Sequence, residues 1–60
     1  MTESDLETVY DALAQAIDTV GPEQAELYLA KLALALVEDL GDADRSLQVI
    51  AECTTGLDRV

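Results

Sequence analysis

The sequence predicts an all-α fold: a helical hairpin plus a third short helix, forming one small domain over residues 1–60 and assembled as an oligomer. Apolar residues recur every three or four positions, and no segment alternates strictly between apolar and polar residues, which favours helices over strands. Gly21-Pro22 and Gly41-Asp42 interrupt this pattern and divide it into three segments. The 60 residues include one cysteine and no histidine, so neither an internal disulfide nor a common His/Cys metal site is expected. Oligomerisation, or packing on a partner protein, remains as the means of stabilising so small a core.

The first helix is predicted over about residues 5–20. Ser4 is the expected N-cap, because Glu7 stands three residues later and completes a capping box. Gly21 fits the position that follows the last helical turn. One face of this helix is apolar and comprises Leu6, Val9, Tyr10, Leu13, Ile17 and Val20.

The second helix is predicted over about residues 22–40, with Pro22 at its first position, where a missing N–H costs nothing. Ten of the eleven residues from Leu27 to Val37 are apolar, so this helix has two apolar faces rather than one. The main face, which we expect the other two helices to cover, comprises Ala25, Tyr28, Leu29, Leu32, Ala33, Leu36 and Leu40. The opposite face, which we expect to remain partly exposed and to form an interface, comprises Leu27, Ala30, Leu34 and Val37.

The third helix is predicted over about residues 43–55. Asp42 is the expected N-cap, and Thr54-Thr55-Gly56 is the expected stop, followed by a frayed tail over residues 57–60. Its expected apolar face comprises Ala43, Leu47, Ile50, Ala51, Thr54 and Leu57.

The charge balance argues against several classes of partner. Thirteen acidic residues stand against three basic ones, Lys31, Arg45 and Arg59, which disfavours binding to nucleic acid or to an anionic membrane. The apolar run of the second helix is about half as long as a membrane span. The acidic N-terminal residues predict no secretory signal and therefore a cytoplasmic protein. Along the first helix an acidic stripe comprises Glu7, Asp11 and Asp18.

No catalytic, cofactor-binding or metal-binding residue is expected. Cys53 has no histidine to act as its base. Asp42 and Asp44 begin like a calcium loop, but Leu47 stands where that loop requires glycine. The segment Ser4-Asp5-Leu6 is superficially similar to the attachment segment of acyl carrier proteins, which have the order Asp-Ser-Leu after a complete helix.

Four segments carry a resemblance that spans roughly residues 9–51. They are Val9-Tyr10-Asp11-Ala12-Leu13, Gly21-Pro22-Glu23-Gln24, the leucine-rich stretch from Lys31 to Val37, and Leu40-Gly41-Asp42. In these segments the chain resembles a family of short bacterial proteins known as domain of unknown function 2783. The resemblance implies a small helical bacterial protein and assigns no catalytic residue to this chain.

Three non-enzymatic functions remain open from the sequence, and an enzyme would require metal-dependent carboxylate chemistry. The first is a protein–protein interaction module, a homodimer or a small accessory subunit, that associates through Leu27, Ala30, Leu34 and Val37. The second is a small acidic regulator that binds a basic partner surface through the acidic stripe, and the third, more remote, is an acyl-carrier-like protein. A monomeric bundle with the second helix as its buried core is the structural alternative to association.

Overall fold

The computed structural model describes residues 1–57, which form three α-helices and no strand. They are α1 (Glu3–Val20), α2 (Ala25–Leu40) and α3 (Ala43–Glu52). The predicted all-α fold is therefore confirmed. Arg59 and the part of the predicted tail from residue 58 onward lie outside the described residues.

Helix α1 begins two residues earlier than predicted, so Ser4 is wrong as the N-cap. Thr2 has this role: its Oγ1 accepts a hydrogen bond from the Asp5 N–H at 3.0 Å, and its own N–H donates to Asp5 Oδ2 at 3.1 Å. Both Thr-x-x-Asp and Ser-x-x-Glu fit a capping box, and the earlier pair starts the longer helix. Ser4 lies inside the first turn, where its carbonyl accepts a hydrogen bond from the Thr8 hydroxyl at 3.0 Å.

The connection between α1 and α2 is longer than predicted. Pro22 does not open α2; residues 22–24 form a turn, which the Gln24 N–H closes by donating to the Gly21 carbonyl at 3.1 Å. Gly21 has φ 85° and ψ 161°, a conformation that is accessible essentially to glycine alone. Proline disfavours the helical conformation in the residue before it, so α1 ends before Gly21. The chain then reverses its direction over the turn of residues 22–24.

The connection between α2 and α3 follows the prediction. Gly41 ends α2 in the left-handed conformation, and the Asp42 carboxylate accepts a hydrogen bond from the Arg45 N–H at 2.9 Å, which confirms Asp42 as the N-cap. Helix α3 ends at Glu52, three residues before the predicted end. There the Thr54 and Thr55 hydroxyls donate to the carbonyls of Ala51 and Glu52 at 2.8 Å and satisfy the end of the helix.

The helices do not close into a compact bundle. Within residues 1–57, no two residues separated by twelve or more positions approach to a Cα–Cα distance of 8 Å. The radius of gyration is 13.2 Å, whereas a compact chain of this length would have about 10 Å. The solvent-accessible surface is 5582 Å², whereas a compact monomer of this mass would expose about 3,800 Å². Each helix therefore contacts its neighbour near the connecting turn and diverges from it beyond.

Candidate interaction surface

The second face of α2 is open to solvent. Leu34 is 71% exposed and Leu27 is 61% exposed, and Ala30 between them is exposed as well. Val37 differs from these three residues because α3 lies beside it and leaves it half-buried. The four residues follow one another along nearly three turns of the helix and form a continuous apolar strip.

The main face of α2 is not the buried core that the sequence predicts. Leu36, at the centre of this face, is 58% exposed, and Leu29 and Leu40 are exposed too. The half-buried residues of this face are Ala25, Tyr28 and Leu32, at the α1 end of the helix. The predicted division of α2 into a covered face and a surplus face is therefore wrong, since both faces retain exposed leucines.

Helix α3 is rotated relative to the prediction. Its innermost residue is Ser46, which is 4% exposed, whereas Leu47 on the predicted packing face is 65% exposed. Burial of Ser46 leaves no polar atom unpaired, because its hydroxyl donates to the Asp42 carbonyl at 2.7 Å. A small side chain at this position lets the backbone of α3 approach α2, while the leucine one position further lies to the side.

An apolar groove of about 420 Å³ lies between α2 and α3. Its α2 wall runs from Ala33 to Leu40, and its α3 wall runs from Ser46 to Cys53. Apart from the Ser46 hydroxyl and the Cys53 thiol, the side chains that line it are aliphatic. Its volume is that of a small ligand pocket, but it is open along its length and more closely resembles a seat for an apolar helix.

The N-terminal half of α1 carries an apolar ridge, formed by Leu6, Val9 and Tyr10, that the other two described helices leave exposed. In the C-terminal half of the helix, near the turn to α2, Leu13, Ala16 and Ile17 are half-buried. The amphipathic pattern of α1 thus extends about two turns beyond the part that contacts α2.

The predicted acidic stripe lies along one exposed side of α1. Glu7, Asp11 and Asp18 are all exposed, and α1 contains no basic residue. In the described part of the chain, Arg45 forms one ion pair, with Glu52 on the same helix, at 3.7 Å. Because about half of each side chain is in water, this pair adds little stability. The structure thus brings no described basic side chain into an ion pair with the stripe.

Three further findings concern the described residues alone. Over residues 1–57, no three side chains of the histidine, cysteine, aspartate and glutamate types are grouped so that they could hold a metal ion. None of the three helices combines the length and the apolar character that crossing a membrane requires. Cys53, at the end of the α3 wall, is an exposed free thiol.

The hydrophobic pattern of the sequence does not predict the groove between α2 and α3. Ser46, Val49, Ile50 and Cys53 recur at three- and four-residue steps, so they do form a face of α3. This face contains a serine and a cysteine, and the neighbouring stripe with Leu47 is more apolar. A preference for small side chains at a close helix crossing is the signal that identifies it.

Comparison of the chain with family models, with curated proteins and with solved structures found no match in any of the three. The likeness to domain of unknown function 2783 therefore rests on the four sequence segments alone.

Proposed function

We propose that this chain is a non-enzymatic protein–protein interaction module that associates through the apolar strip Leu27, Ala30, Leu34 and Val37 of α2. It acts as a homodimer or as a small accessory subunit of a larger assembly. The observation that carries the proposal is the exposure of this strip in a chain with little core of its own.

The exposed area supports association on physical grounds. The chain exposes about 1,800 Å² more than a compact monomer of its mass. Summed over two copies, such an excess falls in the range of 2,000–5,000 Å² that is typical of obligate interfaces. Contiguous apolar patches of more than about a few hundred Å² are unusual on monomeric soluble proteins and mark surfaces that another molecule covers.

The strip has the composition of a helix–helix contact. Ala30 lies between Leu27 and Leu34, and its small side chain would let a second backbone approach while the two leucines pack on either side. Burial of one leucine contributes about 1.5–3 kcal/mol, so Leu34 would contribute about 3–6 kcal/mol across a two-fold axis.

Replacement of Leu34 by glutamate tests the strip. The matched control is Gln48→Glu, which adds the same charge to an exposed position on the side of α3 that faces away from the groove. Sedimentation velocity at micromolar concentration should show association in the wild type and in Gln48→Glu. In Leu34→Glu the affinity should fall by about a hundredfold or more.

Two results would count against the proposal. If Leu34→Glu leaves both the assembly and the unfolding free energy as they are in Gln48→Glu, then Leu34 is not at an interface. If the wild type is a monodisperse monomer of 6.4 kDa, the homodimer is excluded. Docking onto a larger protein would then be the remaining form of the module.

A further inference from the structure

We infer that the groove between α2 and α3 is filled by the N-terminal half of α1 from a second copy of this chain, and that the exchange is reciprocal. The described part of each chain carries this groove and this ridge, so two copies related by a two-fold axis would satisfy both at once. This inference goes beyond the proposed function, because the groove shares only Val37 with the apolar strip and lies on a different side of α2 from Leu27 and Leu34.

The dimensions of the ridge and the groove agree. The exposed part of the ridge comprises Leu6, Val9 and Tyr10, and the half-buried Leu13 continues it toward the turn. Together these residues lie at positions i, i+3, i+4 and i+7, which is the spacing by which helices seat in grooves. Seven residue steps of a helix span about 10 Å. The two walls of the groove, Ala33 to Leu40 and Ser46 to Cys53, each span seven steps as well.

The chain's own α1 is directed elsewhere. Its C-terminal half contacts α2 near Ala25, Tyr28 and Leu32, which lie about 100° around the helix axis from the wall of the groove. The turn at Gly21 and Pro22 sets this direction. To enter its own groove, α1 would have to leave that contact and rearrange the turn, whereas a second copy supplies the same ridge without either change.

The charges are compatible with insertion. Glu7 and Asp11 lie more than 100° around α1 from the middle of the ridge, so they remain in water when the ridge is seated. The two copies nevertheless repel each other, because each carries a formal net charge of -10. In such a contact, burial of apolar side chains would supply the attraction, and repulsion between the two negatively charged copies would oppose it.

Disulfide trapping tests the arrangement, because Cys53 is the chain's single cysteine and stands in the wall of the groove. Leu6→Cys and Tyr10→Cys each place a second thiol on the exposed ridge; together they allow for either direction of the inserted helix. Asp11→Cys places one on the acidic side of α1 and is the control. Circular dichroism before oxidation checks that the variants retain the wild-type helix content.

Mild oxidation should convert at least one of the two ridge variants to a covalent dimer, with the new thiol joined to Cys53 of the other chain. Peptide mapping distinguishes this bond from a Cys53–Cys53 bond, which the oxidised wild type would show. Seated groups react at an effective concentration near millimolar, so at about 10 μM protein the bond should form about a hundredfold faster than in Asp11→Cys.

The alternatives give distinct results. A bond between the ridge and Cys53 within one chain means that α1 occupies its own groove, and it overturns the inference. An associating protein in which neither ridge position reacts with Cys53 faster than Asp11→Cys also overturns it, but leaves the α2 strip as the interface. Trapping that persists in Leu34→Glu supports the groove even if the proposed role of the strip fails.

Discussion

Dilution should lower the thermal stability of this protein, because the surface that a compact domain would bury within itself is exposed on the isolated chain. A compact 60-residue chain buries about 60% of the surface that it exposes when unfolded. This chain exposes 5582 Å² out of about 9,300 Å² and so buries only about 40%. If a second copy supplies the missing burial, folding and association are one transition, and the midpoint temperature Tm depends on concentration.

The size of the effect can be calculated. Tenfold dilution of a dimer that unfolds to two chains removes about 1.4 kcal/mol of stability. Two chains of 60 residues, at about 2.1 cal/mol/K per residue, unfold with an entropy of about 0.25 kcal/mol/K. The Tm should therefore fall by about 5–6 °C for each tenfold dilution.

The assay is circular dichroism in cells of different path length, which keeps the signal constant while the concentration changes about a hundredfold. Gln48→Glu should reproduce the slope of the wild type, and Leu34→Glu should have a lower Tm at every concentration. A wild-type Tm that is independent of concentration, together with a cooperative transition, would show that the chain reaches its stability alone. That result would refute the argument from exposed area.

A change of salt concentration tests the role of charge, and two glycine substitutions test the turns between the helices. Raising the salt concentration from about 0.1 M to about 1 M shortens the screening length from about 10 Å to about 3 Å; self-association measured by sedimentation should then strengthen, because it brings together two acidic chains. A contact between the acidic stripe and a basic partner would weaken under the same change. Gly41→Asn should cost less than about 1 kcal/mol, because asparagine adopts the left-handed conformation of Gly41. Gly21→Asn should cost about 1–3 kcal/mol, because φ 85° and ψ 161° suit glycine alone. Urea denaturation measures both costs, and equal losses would show that the turn at Gly21 does not hold α1 in its direction.

The local elements were predictable because their signals are local. Asp42 and Gly41 act as caps through their own backbone neighbourhood, and the structure has them as predicted. The start of α1 was off by two residues, because Thr2 and Ser4 both match a capping box and only helix length separates them. The preference of proline for the first helical turn predicts Pro22 at the start of α2, whereas the structure has it in the turn of residues 22–24.

The relative placement of the helices could not be predicted in the same way. In α2 apolar residues surround almost the whole axis, so hydrophobic periodicity does not indicate which side another helix will cover. In α3 hydrophobicity predicts that the stripe with Leu47 packs against α2, but the side with Ser46 permits the closer approach. Packing at a helix crossing depends on the shape of both surfaces, and a single sequence supplies only the hydrophobicity of each.

The exposed apolar residues on all three helices leave each helix with little stabilising burial. A helix of ten residues such as α3 is too short to be stable alone in water, so its stability must come from burial. The burial that α2 provides is confined to the region around Ser46, and Leu47 and Ile50 remain exposed. Helix α1, although longer, has the same deficit at Leu6 and Tyr10. In the proposed reciprocal dimer the ridge of one chain would cover the groove of the other. Each chain would thus gain the apolar burial that its own α1 and α3 lack. Within the apolar strip, Val37 also lines the groove, whereas Leu27 and Leu34 would remain outside that contact. These two leucines would be available for a further copy or for a larger protein, which is why the groove and the strip must be tested by separate substitutions.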